Sequence, residues 1–164
     1  MGTFGMFSTT EKDYQIVQPT SQYFASQLIN LEWVQPGSGD HQVFHATGDL
    51  EDPAGHSLVT AYATLRPDGK YSLLAIHRDQ WNAHKVRIQF HDDKARTDRS
   101  FSGPVETVTF GRAQYQWHPD AKGGSADPDG PTLKGSIAAN ADTIFDLPAA
   151  SMTVFRGGLS RTSK

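Results

Sequence analysis

Ser57-Leu58-Val59-Thr60-Ala61-Tyr62-Ala63-Thr64-Leu65, then Arg66-Pro67-Asp68-Gly69-Lys70, then Tyr71-Ser72-Leu73-Leu74-Ala75-Ile76-His77 decides the fold. Val59, Ala61, Ala63 and Leu65 alternate with Leu58, Thr60, Tyr62 and Thr64, the period of two that a strand imposes on its faces. Proline, aspartate and glycine follow where a tight turn needs a fixed φ, a side-chain acceptor and a left-handed residue. Tyr71–His77 is then the return strand of a β-hairpin.

Outward from this hairpin, Val86, Ile88 and Phe90 alternate with Lys85, Arg87 and Gln89, a strand with one wet face. Further strands are expected at 41–47, 104–110, 113–117, 132–138, 142–147 and 151–156, with Gly- and Pro-rich segments at 48–55 and 119–131 between some of them. Many short strands with regular turn signals predict a mainly β chain, an antiparallel β-sandwich. Upstream the period changes. From Pro19-Thr20, residues Tyr23, Phe24, Leu28, Leu31 and Trp33 recur at helical spacing, with Gln22, Ser26, Gln27 and Asn30 opposite. Proline suits the first turn of that helix, and Pro36-Gly37-Ser38-Gly39 ends it. The expected organisation is one amphipathic helix within residues 1–38, a β-sandwich at 39–157 and a frayed tail at 158–164. The apolar helix face needs a partner: a neighbouring catalytic domain, a second copy of the chain or the chain's own sandwich.

The chain has 164 residues with 15 basic and 18 acidic side chains, a formal charge of −3. That balance argues against nucleic acid and against an anionic membrane surface. Cysteine is absent, which removes disulfides, thiol catalysis and cysteine–zinc sites together. No run approaches 18 apolar residues, so no membrane span is expected, and no signal peptide is visible at the N-terminus.

Glycoside hydrolysis needs two carboxylates roughly 5–9.5 Å apart. The four glutamates, Glu11, Glu32, Glu51 and Glu106, lie in contexts that read as solvated surface. His41 and His45 fall on a strand that separates them by ~13 Å, too far to share an ion. His77, His84 and His91 bracket one hairpin; a site built from them with Asp79 is conceivable, but no metal is expected. No Gly-x-Ser-x-Gly elbow exists. Asp127-Pro128-Asp129-Gly130 offers Asp127 and Asp129 as weak calcium ligands, although these are also ordinary turn residues. Otherwise no cofactor is expected.

Aromatic residues are the more informative class. A flat exposed ring stacks on the C–H face of a sugar while neighbouring polar groups bind hydroxyls. Tyr115 and Trp117 project from one side of the 113–117 strand, ~7 Å apart, and make a platform if that side is wet. Trp81 stands in Arg78-Asp79-Gln80-Trp81-Asn82, a polar loop where a large apolar ring is unexpected. Asp79 and Asn82 would accompany it as hydroxyl partners. The competing reading places Tyr115 and Trp117 in the core and Trp81 against another domain.

These residues carry a resemblance. Gly2-Thr3-Phe4-Gly5-Met6-Phe7 with Gln18-Pro19-Thr20-Ser21-Gln22-Tyr23-Phe24-Ala25-Ser26-Gln27-Leu28 resembles the end of the (β/α)8 barrel of clan A glycoside hydrolases, family 39-like in style. Val59–Ala63 with Arg66–Leu74, Asp127–Pro131 and Phe145–Gly157 resemble the C-terminal β-sandwich that follows such a barrel. The resemblance implies a bacterial protein acting outside the cell or in the periplasm. It also implies a polysaccharide or oligosaccharide as ligand and a catalytic barrel domain as neighbour. No catalytic residue transfers, because the Asn-Glu pair of the acid/base strand is absent and both catalytic positions would precede Met1. The chain therefore reads as a non-catalytic ancillary domain. The alternatives are a free-standing carbohydrate-binding module and a small hydrolase with an unrecognised site.

Overall fold

The computed structural model describes residues 5–10, 12–119, 125–126 and 132–160. A short hairpin of β1 (Phe7–Thr9) and β2 (Ile16–Pro19) leads into α1 (Ser21–Gln27). The helix continues through a wider π-helical turn at Leu28–Trp33. Then follow β3 (Gln42–Phe44), β4 (Val59–Leu65), β5 (Tyr71–His77), β6 (His84–Val86), β7 (Phe90–Asp92) and β8 (Thr97–Arg99). The long strand β9 (Phe101–Gly111) precedes β10 (Trp117–His118) and β11 (Ser125–Ala126). Last come β12 (Leu133–Ala139), β13 (Phe145–Leu147) and β14 (Ser151–Leu159).

Six strands form one antiparallel sheet in the order β12-β9-β14-β5-β4-β3. The hairpin of β4 and β5 forms as the sequence predicts. Arg66 accepts from the Gly69 amide and donates to Lys70, and Gly69 takes φ +77°, the left-handed turn position that glycine fills without strain. Alternation along the strands sends Leu74, Val108 and Val154 to one face and Leu73, Val105 and Phe155 to the other, so the sheet is apolar on both sides and must be covered twice.

The first face is covered by the helix. Phe24 stacks on Phe110 at 5.0 Å and Leu28 is fully buried beside Leu74, Val108 and Val154. The partner of the apolar helix face is therefore the chain's own sheet. The second face is covered by a smaller layer, the ribbon of β6 and β13, with Ile88, Phe145 and Leu147 buried against Phe101 and Phe155. The ribbon β7–β8 flanks it. The architecture is mainly β and antiparallel, with a large sheet, a short β layer on one face and the helix on the other.

Four local expectations change. The strand expected over 85–90 divides into β6 and β7 around residues 87–89. The strand expected at 113–117 is a turn at 112–114, and only Trp117 and His118 pair, with Ala126 and Ser125. Gly158 and Leu159 are not a frayed tail. Past a bulge at Gly157/Gly158 they pair with Ser102 and Phe101, and the Ser160 amide bonds to the Ser100 carbonyl. Glu32 is not solvated surface. Its carboxylate accepts from Lys134 and Arg156, and its carbonyl accepts from Arg66 and Arg156. Glu106 accepts from Arg156 and Lys70. This cluster pins the C-terminal end of the helix to the sheet, where unpaired carbonyls favour cations.

Candidate functional site

The loop between β5 and β6 carries the densest polar chemistry outside that clamp. His77 ends β5 in register with Val59 of β4 and Ser151 of β14, which buries it to 2% exposure. Its Nδ1 donates to the Pro148 carbonyl at 2.8 Å. A carbonyl only accepts, so Nδ1 carries the proton and Nε2 presents a lone pair. That Nε2 has no hydrogen-bond partner.

Two residues on, Asp79 organises the loop. Its Oδ1 accepts the amides of Trp81 and Asn82 at 2.9 and 3.0 Å, while Oδ2 accepts His84 Nε2 at 2.8 Å and the Asn82 amide group at 3.2 Å. The His84 bond first, and then the two loop amides, hold the Asp79 carboxyl well below the usual carboxylate range. His84 opens β6, opposite Leu147 of β13. Its ring meets that of His77 edge-on at 5.0 Å. Among the described residues, His77, Asp79 and His84 are the group of histidines and carboxylates whose ligand atoms all lie within 4.8 Å of one another. The turn Pro148–Ser151 closes over them. Pro148 fixes His77, and the Ala150 amide bonds to the Asp79 carbonyl at 2.7 Å.

Trp81 rides on this framework. It is 74% exposed, and the Arg112 guanidinium lies over its ring, 4.6 Å from the centroid. Arg112 also donates to the Gln80 carbonyl. One face of the indole thus meets a cation, and the loop backbone beneath is held by Asp79. Asn82 is exposed beside it, with its amide turned to Asp79. Trp81, Asp79 and Asn82 are therefore brought together.

Tyr115 is not with them. It is half-buried under the helix, 6.4 Å from Phe24 and 6.0 Å from Phe110 by ring centroids. With residues 112–114 in a turn, the strand expected at 113–117 does not form. Trp117 is described as the first residue of β10. The calcium candidates Asp127 and Asp129 lie outside the described residues. His91 is also separate, bonding to Asp98 across β7–β8 at 2.8 Å. His41 accepts the Gln35 amide through Nε2.

Sequence reasoning missed a cleft of about 730 Å³ on the face away from the helix, within the size range of small-molecule sites. Phe44, Tyr71 and Phe90 line it, with Asp49, Arg87 and Gln89. Tyr71 lies 6.0 Å from Phe44 and 5.3 Å from Phe90. Its walls come from β3, β5 and the 86–94 segment, so no local sequence signal could have assembled it.

No helix among the described residues is long and apolar enough to cross a membrane. No family model matches the chain, and no curated protein matches it. Among solved structures, the chain is similar to the thermostable GH51 alpha-L-arabinofuranosidase from Thermotoga petrophila. The TM-score is 0.41 at 14% identity, over 62% of this chain and 19% of that one. This is a distant likeness to a fifth of a glycoside hydrolase chain, and it fixes neither a family nor an activity.

Proposed function

We propose that this chain is a non-catalytic ancillary domain of a glycoside hydrolase that contacts polysaccharide through the Trp81 loop. The observation that carries the reading is the indole itself. An apolar ring left 74% exposed on a loop held by five hydrogen bonds to one carboxylate is a preorganised surface rather than a frayed one. An aromatic face matches the C–H face of a pyranose or furanose, and the flanking Arg112 and Asn82 suit hydroxyls.

The test is calorimetric titration of the full chain with a panel of plant polysaccharides and their oligosaccharides, beside Trp81→Ala. Saturable binding that weakens at least about tenfold in the variant, ~1.4 kcal/mol, is the expected result. Two results reject the proposal: no binding by folded protein, or binding that Trp81→Ala leaves intact. If Gln89→Ala removes the binding instead, the ligand belongs to the aromatic cleft.

A further inference from the structure

We propose that His77, Asp79 and His84 form a binding site for one divalent transition ion of the zinc class. Two imidazole nitrogens and a carboxylate oxygen are the donor set that zinc takes when it keeps a fourth position open. Three features argue for a site rather than a chance cluster.

The first is His77. A nitrogen lone pair buried at 2% exposure without a partner is costly, and a metal ion would relieve it. The second is the outer shell. Metal-binding histidines commonly donate their other ring N–H to a carbonyl or carboxylate, which fixes tautomer and orientation. Pro148 already does this for His77, and the Trp81 and Asn82 amides hold the Asp79 oxygen that faces away from His84. The third is reach. Donors on one tetrahedral ion at 2.0–2.2 Å stand about 3.3 Å from each other. Here Asp79 Oδ2 and His84 Nε2 are 2.8 Å apart and all three ligand atoms lie within 4.8 Å. On binding, the proton that His84 Nε2 shares with Asp79 passes to Nδ1 or to solvent, so that Nε2 offers a lone pair and Asp79 Oδ2 exchanges that hydrogen bond for the ion.

The loop architecture fits the same purpose. Ala150 holds a left-handed φ of +44° in the turn that covers the ligands, a strained conformation for a residue with a Cβ. The backbone there lies so close to Gly111 that a Cβ on Gly111 would stand 2.7 Å from the Ala150 oxygen. The turn is thus braced from behind.

This proposal shares Asp79 with the Trp81 loop but does not rest on carbohydrate binding, and its test contains no sugar. Tag-free protein is stripped with chelator and titrated with Zn²⁺ by calorimetry and with Co²⁺ by visible absorption and Trp fluorescence. The expected result is one equivalent bound at micromolar concentration or tighter, tetrahedral cobalt bands, and cobalt quenching of tryptophan fluorescence, Trp81 lying between Asp79 and His84 in sequence. His84→Ala is partly exposed at 27% and should fold. It is expected to weaken binding about a hundredfold, and Asp79→Asn likewise, while His91→Ala binds as the parent does. Three results overturn the site. They are no bound equivalent in folded protein, unchanged affinity in His84→Ala, or affinity lost with His91→Ala instead.

Discussion

Arg156→Met asks what holds the helix to the sheet. Arg156 stands on β14, and its guanidinium bonds to Glu106 through Nε at 2.7 Å and through Nη2. Its Nη1 reaches the Glu32 carboxylate at 3.2 Å and the Glu32 carbonyl at 3.0 Å. Methionine keeps much of the aliphatic stem and removes all four bonds. Hydrogen bonds to charged groups are worth about 1.5–3 kcal/mol each when desolvated. The Glu32 side chain is 13% exposed and belongs near the upper part of that range; Glu106, at 42%, belongs near the ~0–1 kcal/mol of a solvent-screened pair. Lys134 remains for Glu32, Arg66 for its carbonyl and Lys70 for Glu106, which caps the loss. The net expectation is about 3 kcal/mol, or about 6–12 °C in Tm for a chain of this length.

The assay is thermal and urea unfolding, with hydrogen exchange to locate the effect. Amides of 21–33 should lose protection before those of β5 and β14, because the sheet keeps its ladders. Acid sensitivity supplies a second reading. Arg156 first, then Lys70, lowers the Glu106 carboxyl from its ordinary value of 4.5. A depressed folded-state pKa contributes stability above that ordinary value and loses it as pH falls through the folded one. Arg156→Met should therefore flatten part of the acid-side decline. A melting point within about 2 °C of the parent, with an unchanged acid profile, would refute the clamp.

Two further outcomes follow from local geometry. His91 is raised above its ordinary 6.5 by its bond to Asp98, helped by the nearby Asp93 and Asp92 charges. NMR titration should find it elevated and Asp98→Asn should bring it down. Because a raised folded-state pKa stabilises below 6.5 and loses that contribution as pH rises through the folded value, the β7–β8 ribbon should loosen toward alkaline pH. An unshifted His91 would remove the pair from the account. Gly111→Ala forces a Cβ to within 2.7–2.8 Å of Ala150 and Ser151, and should cost about 1–3 kcal/mol as the turn moves. A melt equal to the parent's would mean that the turn yields without strain.

Much of the fold was legible because its signals are local. The Pro67-Asp68-Gly69 turn and the alternation on either side are encoded within 21 residues, and the β4–β5 hairpin follows them. The helix at 21–33 was legible from its spacing, and so was its need for cover. What covers it was not. Phe110, Val108 and Val154 are distant in sequence, and nothing in the helix names them.

The site divides the same way. Trp81 stood out because a large ring in a polar loop contradicts local expectation, and the structure leaves it exposed on a framework built by Asp79. Tyr115 followed the competing reading and packs beside Phe24 and Phe110, because the strand that would have carried it to a wet face is replaced by a turn. Glu32 looked solvated because burial of a charge is decided by its partners, and Arg156 lies 124 residues away. His77 and His84 were visible with Asp79 but were grouped with His91. Only the tertiary register separates them. It ends β5 beneath Pro148 and opens β6 opposite Leu147, while His91 goes to another ribbon. Sequence alone determined that this chain is antiparallel β with one helix, since strand and helix periods are read within a few residues. Tertiary structure decided which charged and polar groups meet, because their meeting depends on strand order and loop closure, which bring together residues that no local spacing relates.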